Sequence, residues 1–147
     1  MQTTRRHARE WAVQMLTAAD MNPPDDIDGF IESYWLQLPT LDDEDANVRK
    51  AKGKLKEFAE ERVAGTLAAL SEIDGEISQL LENWDLYRLG TVERAVLRMG
   101  VWELKFSDVP TAVVINEAVD LVNWYSSPKS RTIVNGVLDR YAAKNGR

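Results

Sequence analysis

The sequence predicts an all-α protein, a single-domain helical bundle of about seven helices. Apolar residues recur three and four positions apart in one segment after another, which is the period of a helix that is buried on one side. No segment shows the convincing alternation of apolar and polar residues that predicts a half-buried strand. Proline, glycine and serine residues separate the helical segments, so the connections between helices should be short.

The first two helices are predicted in the N-terminal quarter of the chain. Residues 4–20 carry an apolar stripe with helical spacing, and Thr3 or Thr4 stands where an N-cap is needed. The NPPDD segment that follows ends this helix because proline does not fit a helix interior. A second, shorter helix has its last apolar residue at Leu38, and Pro39 ends it.

The third helix is the longest one predicted, with an apolar stripe from Val48 to Leu70. Its other face carries a row of cations: Arg49, Lys50, Lys52, Lys54 and Lys56. Because alternating positions wrap around a helix, we interpret this row first as a solvated face. The SEIDGE segment is expected to cap a fourth helix, whose apolar residues extend from Ile77 to Tyr87.

The remaining three helices follow from two further breaks. Thr91 is a plausible cap for a fifth helix, whose apolar residues up to Leu104 cover so much of its circumference that it should be central. Pro110, within SDVPT, ends this helix. The sixth helix has its apolar stripe from Val114 to Tyr125, and the seventh follows the SSPKS segment.

The composition argues against several classes of function. The chain has no cysteine and one histidine, and it lacks a glycine-rich phosphate loop, so disulfides, thiolate metal sites and the common catalytic pairs are not available. We therefore predict that the protein is not an enzyme and that it holds no metal and no cofactor. No apolar run reaches the length of about 18 residues that a membrane helix needs, and we expect a cytoplasmic protein that does not associate with membranes.

A basic cluster stands at the start of a chain whose net charge is −6. Residues 20–45 contain nine acidic residues and no lysine or arginine, whereas the segment TTRRHARE at 3–10 contains three arginines and the single histidine. Arginine offers forked donors that match phosphate and a plane that stacks on bases. We therefore predict nucleic-acid binding by the following residues: Arg5, Arg6, His7 and Arg9.

A second candidate surface precedes the last helix. Lys129 and Arg131 are expected in a loop beside Trp124 and Tyr125. Cationic and flat side chains occur together in this way where proteins bind single-stranded nucleic acid.

Three motifs in the second half of the chain make its family recognisable. NWDLYRLGTVERAVLRMGVWEL, SDVPTAVVINEAVDLVNWY and RTIVNGVLDRYA follow one another, and RRHAREWAVQML stands at the start. Together they closely resemble the NusB family of bacterial transcription antitermination factors. The likeness runs nearly without gaps from Ser71 to Ala142, whereas residues 20–70 match poorly. On this resemblance, residues 1–147 form one NusB-like RNA-binding helical domain.

The resemblance implies a function in assembly on RNA, without catalysis. Proteins of this family bind the boxA element of nascent ribosomal or phage RNA together with the ribosomal small-subunit protein NusE. They join NusA, NusG and RNA polymerase in a complex that passes terminators, for example in ribosomal RNA transcription. Some members self-associate, so monomer and homodimer both stay open.

The resemblance also assigns residues to two surfaces. The arginine-rich start of the family's first helix falls on Arg5, Arg6 and Arg9, the aromatic residue that ends the INEA helix falls on Tyr125, and the polar loop before VNG falls on residues 129–131. The acidic contact with the protein partner falls on Glu93. Glu93 has a simpler explanation as well, because a carboxylate in the first turn of a helix is favourable by about 0.3–1 kcal/mol.

One departure from the family pattern keeps an alternative function open. Ile133 stands before VNG, where the family commonly has phenylalanine, so one possible stacking partner is missing. The chain is then alternatively a protein-interaction module with a decayed RNA surface, which would use the acidic segment at residues 20–45 to bind a basic partner. A second alternative, which does not depend on Ile133, is the NusB-like accessory domain of an RNA cytosine methyltransferase, detached from its catalytic half.

Overall fold

The computed structural model describes residues 4–37, 46–81, 85–125 and 127–147, with residues 46–51 described by their backbone only. In these residues the chain forms seven α-helices and a short 3-10 turn at Leu86–Arg88, which confirms the all-α prediction. The helices are α1 (Arg5–Met21), α2 (Ile27–Gln37), α3 (Ala46–Ala68), α4 (Leu70–Leu80), α5 (Thr91–Phe106), α6 (Thr111–Tyr125) and α7 (Pro128–Lys144). The predictions for Thr3, Leu38 and Pro39 lie outside the described residues.

The chain divides into two compact units, Met1–Leu67 and Ala68–Arg147. The prediction of a single domain stays a prediction. No helix in the described parts of the chain is both long enough and apolar enough to cross a membrane.

The first unit contains α1, α2 and α3. The buried residues of α1 are Ala8, Arg9, Ala12, Val13, Met15, Leu16 and Ala19. Trp35 of α2 joins the three helices, because its ring lies edge-on to Trp11 of α1 at 5.5 Å between centroids. Its indole N–H donates to Glu60 Oε1 of α3 at 2.6 Å.

The second unit is built around α5. All residues of α5 from Glu93 to Leu104 are buried, which agrees with the central position that the sequence predicted. Helices α4, α6 and α7 pack against it. A Cβ atom on Gly100 would lie 3.0 Å from Leu138 Cδ2, so this glycine permits the close approach of α5 and α7.

The predicted boundaries of the fourth helix were wrong. Helix α3 ends at Ala68 and α4 begins at Leu70, so SEIDGE lies inside α4 rather than capping it. Its carboxylates serve the packing of α4 on α5 instead. Asp74 accepts two hydrogen bonds from Arg98, at 2.7 and 2.9 Å, and Lys105 donates to both Glu72 and Glu76.

Other local predictions also need correction. Helix α4 ends at Leu80, and Tyr87 lies in the separate 3-10 turn, where its N–H donates to the Asp85 side chain at 2.9 Å. The N-cap of α5 is Gly90, so Thr91 is the first helical residue instead of the cap. The prediction that Trp84 belongs to the fourth helix lies outside the described residues.

Candidate nucleic-acid interface

The three arginines predicted to bind RNA lie in the first turns of α1 and differ in their exposure. Arg5 and Arg6 are exposed, whereas Arg9 is only 3% exposed. The side chains of Arg5 and Arg6 are therefore accessible from solvent, whereas that of Arg9 is not.

Phe58 of α3 explains how this arginine cluster is held. The guanidinium carbon of Arg9 lies 5.1 Å from the centroid of the Phe58 ring, and that of Arg5 lies at 5.2 Å. Arg62, one turn after Phe58, lies closer still, at 3.4 Å. Cations are attracted to the face of an aromatic ring, so one ring organises three guanidinium groups. In the sequence, Phe58 is one residue of the apolar stripe from Val48 to Leu70, and nothing local signals this role.

His7 has a local structural function in α1. Its Nδ1 atom accepts a hydrogen bond from the backbone N–H of Thr4, the N-cap residue, at 3.1 Å. This bond satisfies one of the backbone donors that a helix start leaves open. With Nδ1 acting as the acceptor, Nε2–H is the ring donor available to a ligand.

The second predicted cluster lies where α6 ends and α7 begins. Tyr125 is 54% exposed and Lys129 is exposed, while Arg131 is half-buried. The Nε atom of Arg131 is buried and has no hydrogen-bond partner in the described part of the chain.

Lys129 and Arg131 lie in the first turn of α7, so the prediction of a loop at these positions was wrong. The helix starts at Pro128 after the N-cap Ser127. Proline is favoured in the first turn because its missing N–H needs no partner there. The cations therefore have a helical spacing rather than the freedom of a loop.

Glu93 lies in the first turn of α5 and is 8% exposed. Its Oε1 atom accepts a hydrogen bond from Ser130 Oγ at 2.9 Å. Ser130 stands between Lys129 and Arg131. The structure thus joins the residue predicted for the protein partner to the helical turn predicted for RNA. The sequence offered no signal for this bond.

Comparisons with known proteins bear on what these surfaces serve. The family model described as "NusB family" matches residues 6–143. The chain belongs to the NusB family. Its membership confirms the resemblance that the sequence motifs indicated, and the NusB match covers helices of both compact units.

Relatives of this chain in several bacteria are named transcription antitermination protein NusB. The transcription antitermination protein NusB of Wolinella succinogenes is 41% identical over 136 residues, which are 92% of this chain and 92% of that protein. The protein of that name from Nitratiruptor sp. is 40% identical over 145 residues, with 97% and 96% of the two chains covered.

Solved NusB structures share the fold. The structure of T. maritima NusB matches with a TM-score of 0.78 and 34% identity, covering 98% of this chain and 94% of that one. A crystal structure of the antitermination factors NusB and NusE in complex with dsRNA matches with a TM-score of 0.72 and 29% identity. That match covers 95% of this chain and 96% of the other.

Proposed function

We propose that this protein is a transcription antitermination factor that binds boxA RNA together with the ribosomal small-subunit protein NusE. It joins NusA, NusG and RNA polymerase in the complex that transcribes ribosomal RNA. The single observation that carries this proposal is the likeness, over 95% of the chain, to a NusB structure solved with NusE and RNA. The names of the relatives from Wolinella and Nitratiruptor support the same function.

The RNA surface in this proposal consists of two groups of residues. The exposed Arg5 and Arg6 contact phosphates, with His7 beside them. Arg9 is buried beside the Phe58 ring and adds positive charge to this surface without a direct contact to RNA. Tyr125 offers an exposed ring for a base, while Lys129 and Arg131 supply charge from the first turn of α7. Phosphate contacts of this kind position the RNA, and ring contacts favour its single-stranded form.

Glu93 serves the protein partner in this proposal. Its carboxylate is mostly buried and bonded to Ser130, so a NusE contact would reach its remaining exposed part. The protein works by assembly, without catalysis and without a cofactor, and it does so in the cytoplasm. The two compact units act as one RNA-binding domain.

Binding of boxA RNA at several salt concentrations tests the proposal. The affinity should fall as salt rises, with a slope of log K against log salt near −0.7 for each phosphate that is neutralised. NusE should increase the affinity for RNA, and RNA should increase the affinity for NusE by the same factor, because coupling between two binding sites is reciprocal. RNA binding that is independent of salt, or absent both with and without NusE, would contradict the proposal.

A further inference from the structure

Trp124 differs from the other tryptophans that the structure describes. Trp11 and Trp35 pack on each other, and Trp102 is buried against Phe106. Trp124 is 75% exposed at the end of α6, and within the described residues its ring contacts no other ring and no cation. The fold therefore gains little from this large side chain.

The position of Trp124 on α6 explains its exposure. The buried stripe of this helix consists of Val114, Ile115, Ala118, Leu121 and Val122. Trp124 follows Asp120 by four residues and Glu117 by seven, so it lies on the side of these two carboxylates rather than on the stripe. Burial of a large apolar side chain stabilises a fold, and the 75% exposure of Trp124 leaves most of that stabilisation unrealised in the folded chain.

The surroundings of Trp124 favour one kind of occupant. Tyr125, also exposed, is the next residue, and α7 begins with the cationic turn that holds Lys129 and Arg131. Glu117 and Asp120 engage in interactions of their own, and their negative charge disfavours a phosphate near the indole. A base, which is flat and uncharged, suits this position, while the cations of α7 suit the phosphates that flank it.

We propose that Trp124 is a stacking platform for a base of single-stranded RNA, placed beside Tyr125. This inference rests on the proposed function and adds a residue to its RNA surface. An indole accepts any base, because every base has a π-face, so Trp124 contributes affinity rather than sequence preference.

Affinity measurements on boxA RNA with substitutions at position 124 test the proposal. Trp124→Ala should weaken binding about 5- to 150-fold, which corresponds to the range measured when stacking residues are truncated. Trp124→Phe should retain most of the affinity. Trp124→Leu, which is apolar but has no π-face, should lose nearly as much as the alanine variant. Leu36→Ala is the matched control, because Leu36 is 79% exposed on α2 and should leave RNA binding unchanged.

The outcomes separate this proposal from the function on which it rests. Wild-type affinity in Trp124→Ala or Trp124→Leu would overturn the stacking role and leave antitermination untouched. Loss of NusE binding in Trp124→Ala with RNA binding intact would instead assign the indole to a protein contact. Failure of the wild-type protein to bind boxA RNA would overturn both proposals.

Fluorescence gives a second readout that a purely structural role would not change. A base stacked on the indole should quench its emission when RNA is added. That quenching should disappear in Trp124→Phe, whose melting temperature should match the wild type because the side chain is exposed. Equal quenching in both proteins would place the base on another residue.

Discussion

Ser130 Oγ donates a hydrogen bond to Glu93 Oε1 at 2.9 Å, which ties the first turn of α7 to the first turn of α5. The residues on both sides of Ser130 are cations proposed to meet RNA, and Glu93 is proposed to meet NusE. One hydrogen bond therefore lies between the two proposed surfaces. A substitution that moves either side chain is therefore expected to shift the other.

Replacement of Ser130 by alanine should destabilise the protein modestly. Glu93 would lose this donor in a mostly buried position, and a net loss of about 1 kcal/mol in the free energy of unfolding is expected. Chemical unfolding measures the change. Ser78→Ala, at an exposed position of α4, is the control and should leave the stability unchanged within about 0.5 kcal/mol. Equal stability of the two variants would show that the bond contributes nothing.

Replacement of Glu93 by glutamine should separate the two binding surfaces. The amide oxygen of glutamine still accepts from Ser130, so the first turn of α7 keeps its position. The affinity for NusE should fall about 10-fold or more, because a hydrogen bond to a charged group contributes about 1.5–3 kcal/mol. Titration with NusE in the absence of RNA measures this loss. RNA binding without NusE should stay unchanged, and an undiminished affinity for NusE would remove Glu93 from the partner surface.

Glutamine substitutions should distinguish the exposed arginines from the buried one. The double variant Arg5→Gln with Arg6→Gln should reduce the salt slope of RNA binding by about 1.4, since each lost phosphate contact accounts for about 0.7. Its melting temperature should fall less than that of a variant at buried Arg9, because both side chains are exposed.

Arg9→Gln is the matched comparison for this pair. Arg9 is buried against the Phe58 ring, so this variant should lower the melting temperature. Its salt slope should change less than that of the double variant. The opposite pattern would mean that Arg9 is the phosphate contact.

The stability of the protein should fall in acid partly through Glu76. Desolvation acts to raise the pKa of Glu76, but hydrogen bonds from Lys105 and Tyr141 and the charges of Lys105 and Lys144 outweigh it and lower the pKa. A carboxylate with a lowered pKa stabilises the fold above its unfolded pKa, which is about 4.5, and loses this contribution as pH falls through the folded value. Unfolding measured between pH 7 and pH 3 should show a smaller decline in Glu76→Gln than in the wild type. Parallel curves would contradict this role.

The spacing of apolar residues is sufficient to predict a helix and its burial where the helix's own residues determine how much of its surface must be buried. The circumference of α5 is apolar enough that only a central position satisfies it, and the structure has it there. The position of SEIDGE could not be predicted from its residue types, because acidic residues near a glycine occur both in helix caps and on the faces of helices. The carboxylates of this segment bind Arg98 and Lys105, which are 24 or more residues away in the sequence, and these contacts accompany its position inside α4.

The candidate site shows the same division. The sequence pointed to a basic cluster at the start of α1, but no local pattern distinguishes Arg9 from Arg5. Arg9 is buried and Arg5 is exposed, although their guanidinium carbons lie at 5.1 and 5.2 Å from the centroid of the same Phe58 ring. The start of α7 could have been placed from the sequence, since Pro128 is a strong signal for the first turn of a helix.

The complete burial of α5 from Glu93 to Leu104 has a consequence for isotope exchange. Backbone amides in the middle of this helix are expected to take up deuterium slowly, through large openings of the unit Ala68–Arg147. Amides at the exposed ends of α6 and α7 are expected to exchange through small local fluctuations. Helix α5 is thus an internal reference for the exchange rates of the other helices. Slower exchange at the start of α7 in the presence of an oligonucleotide, with α5 unchanged, would locate the footprint without any substitution.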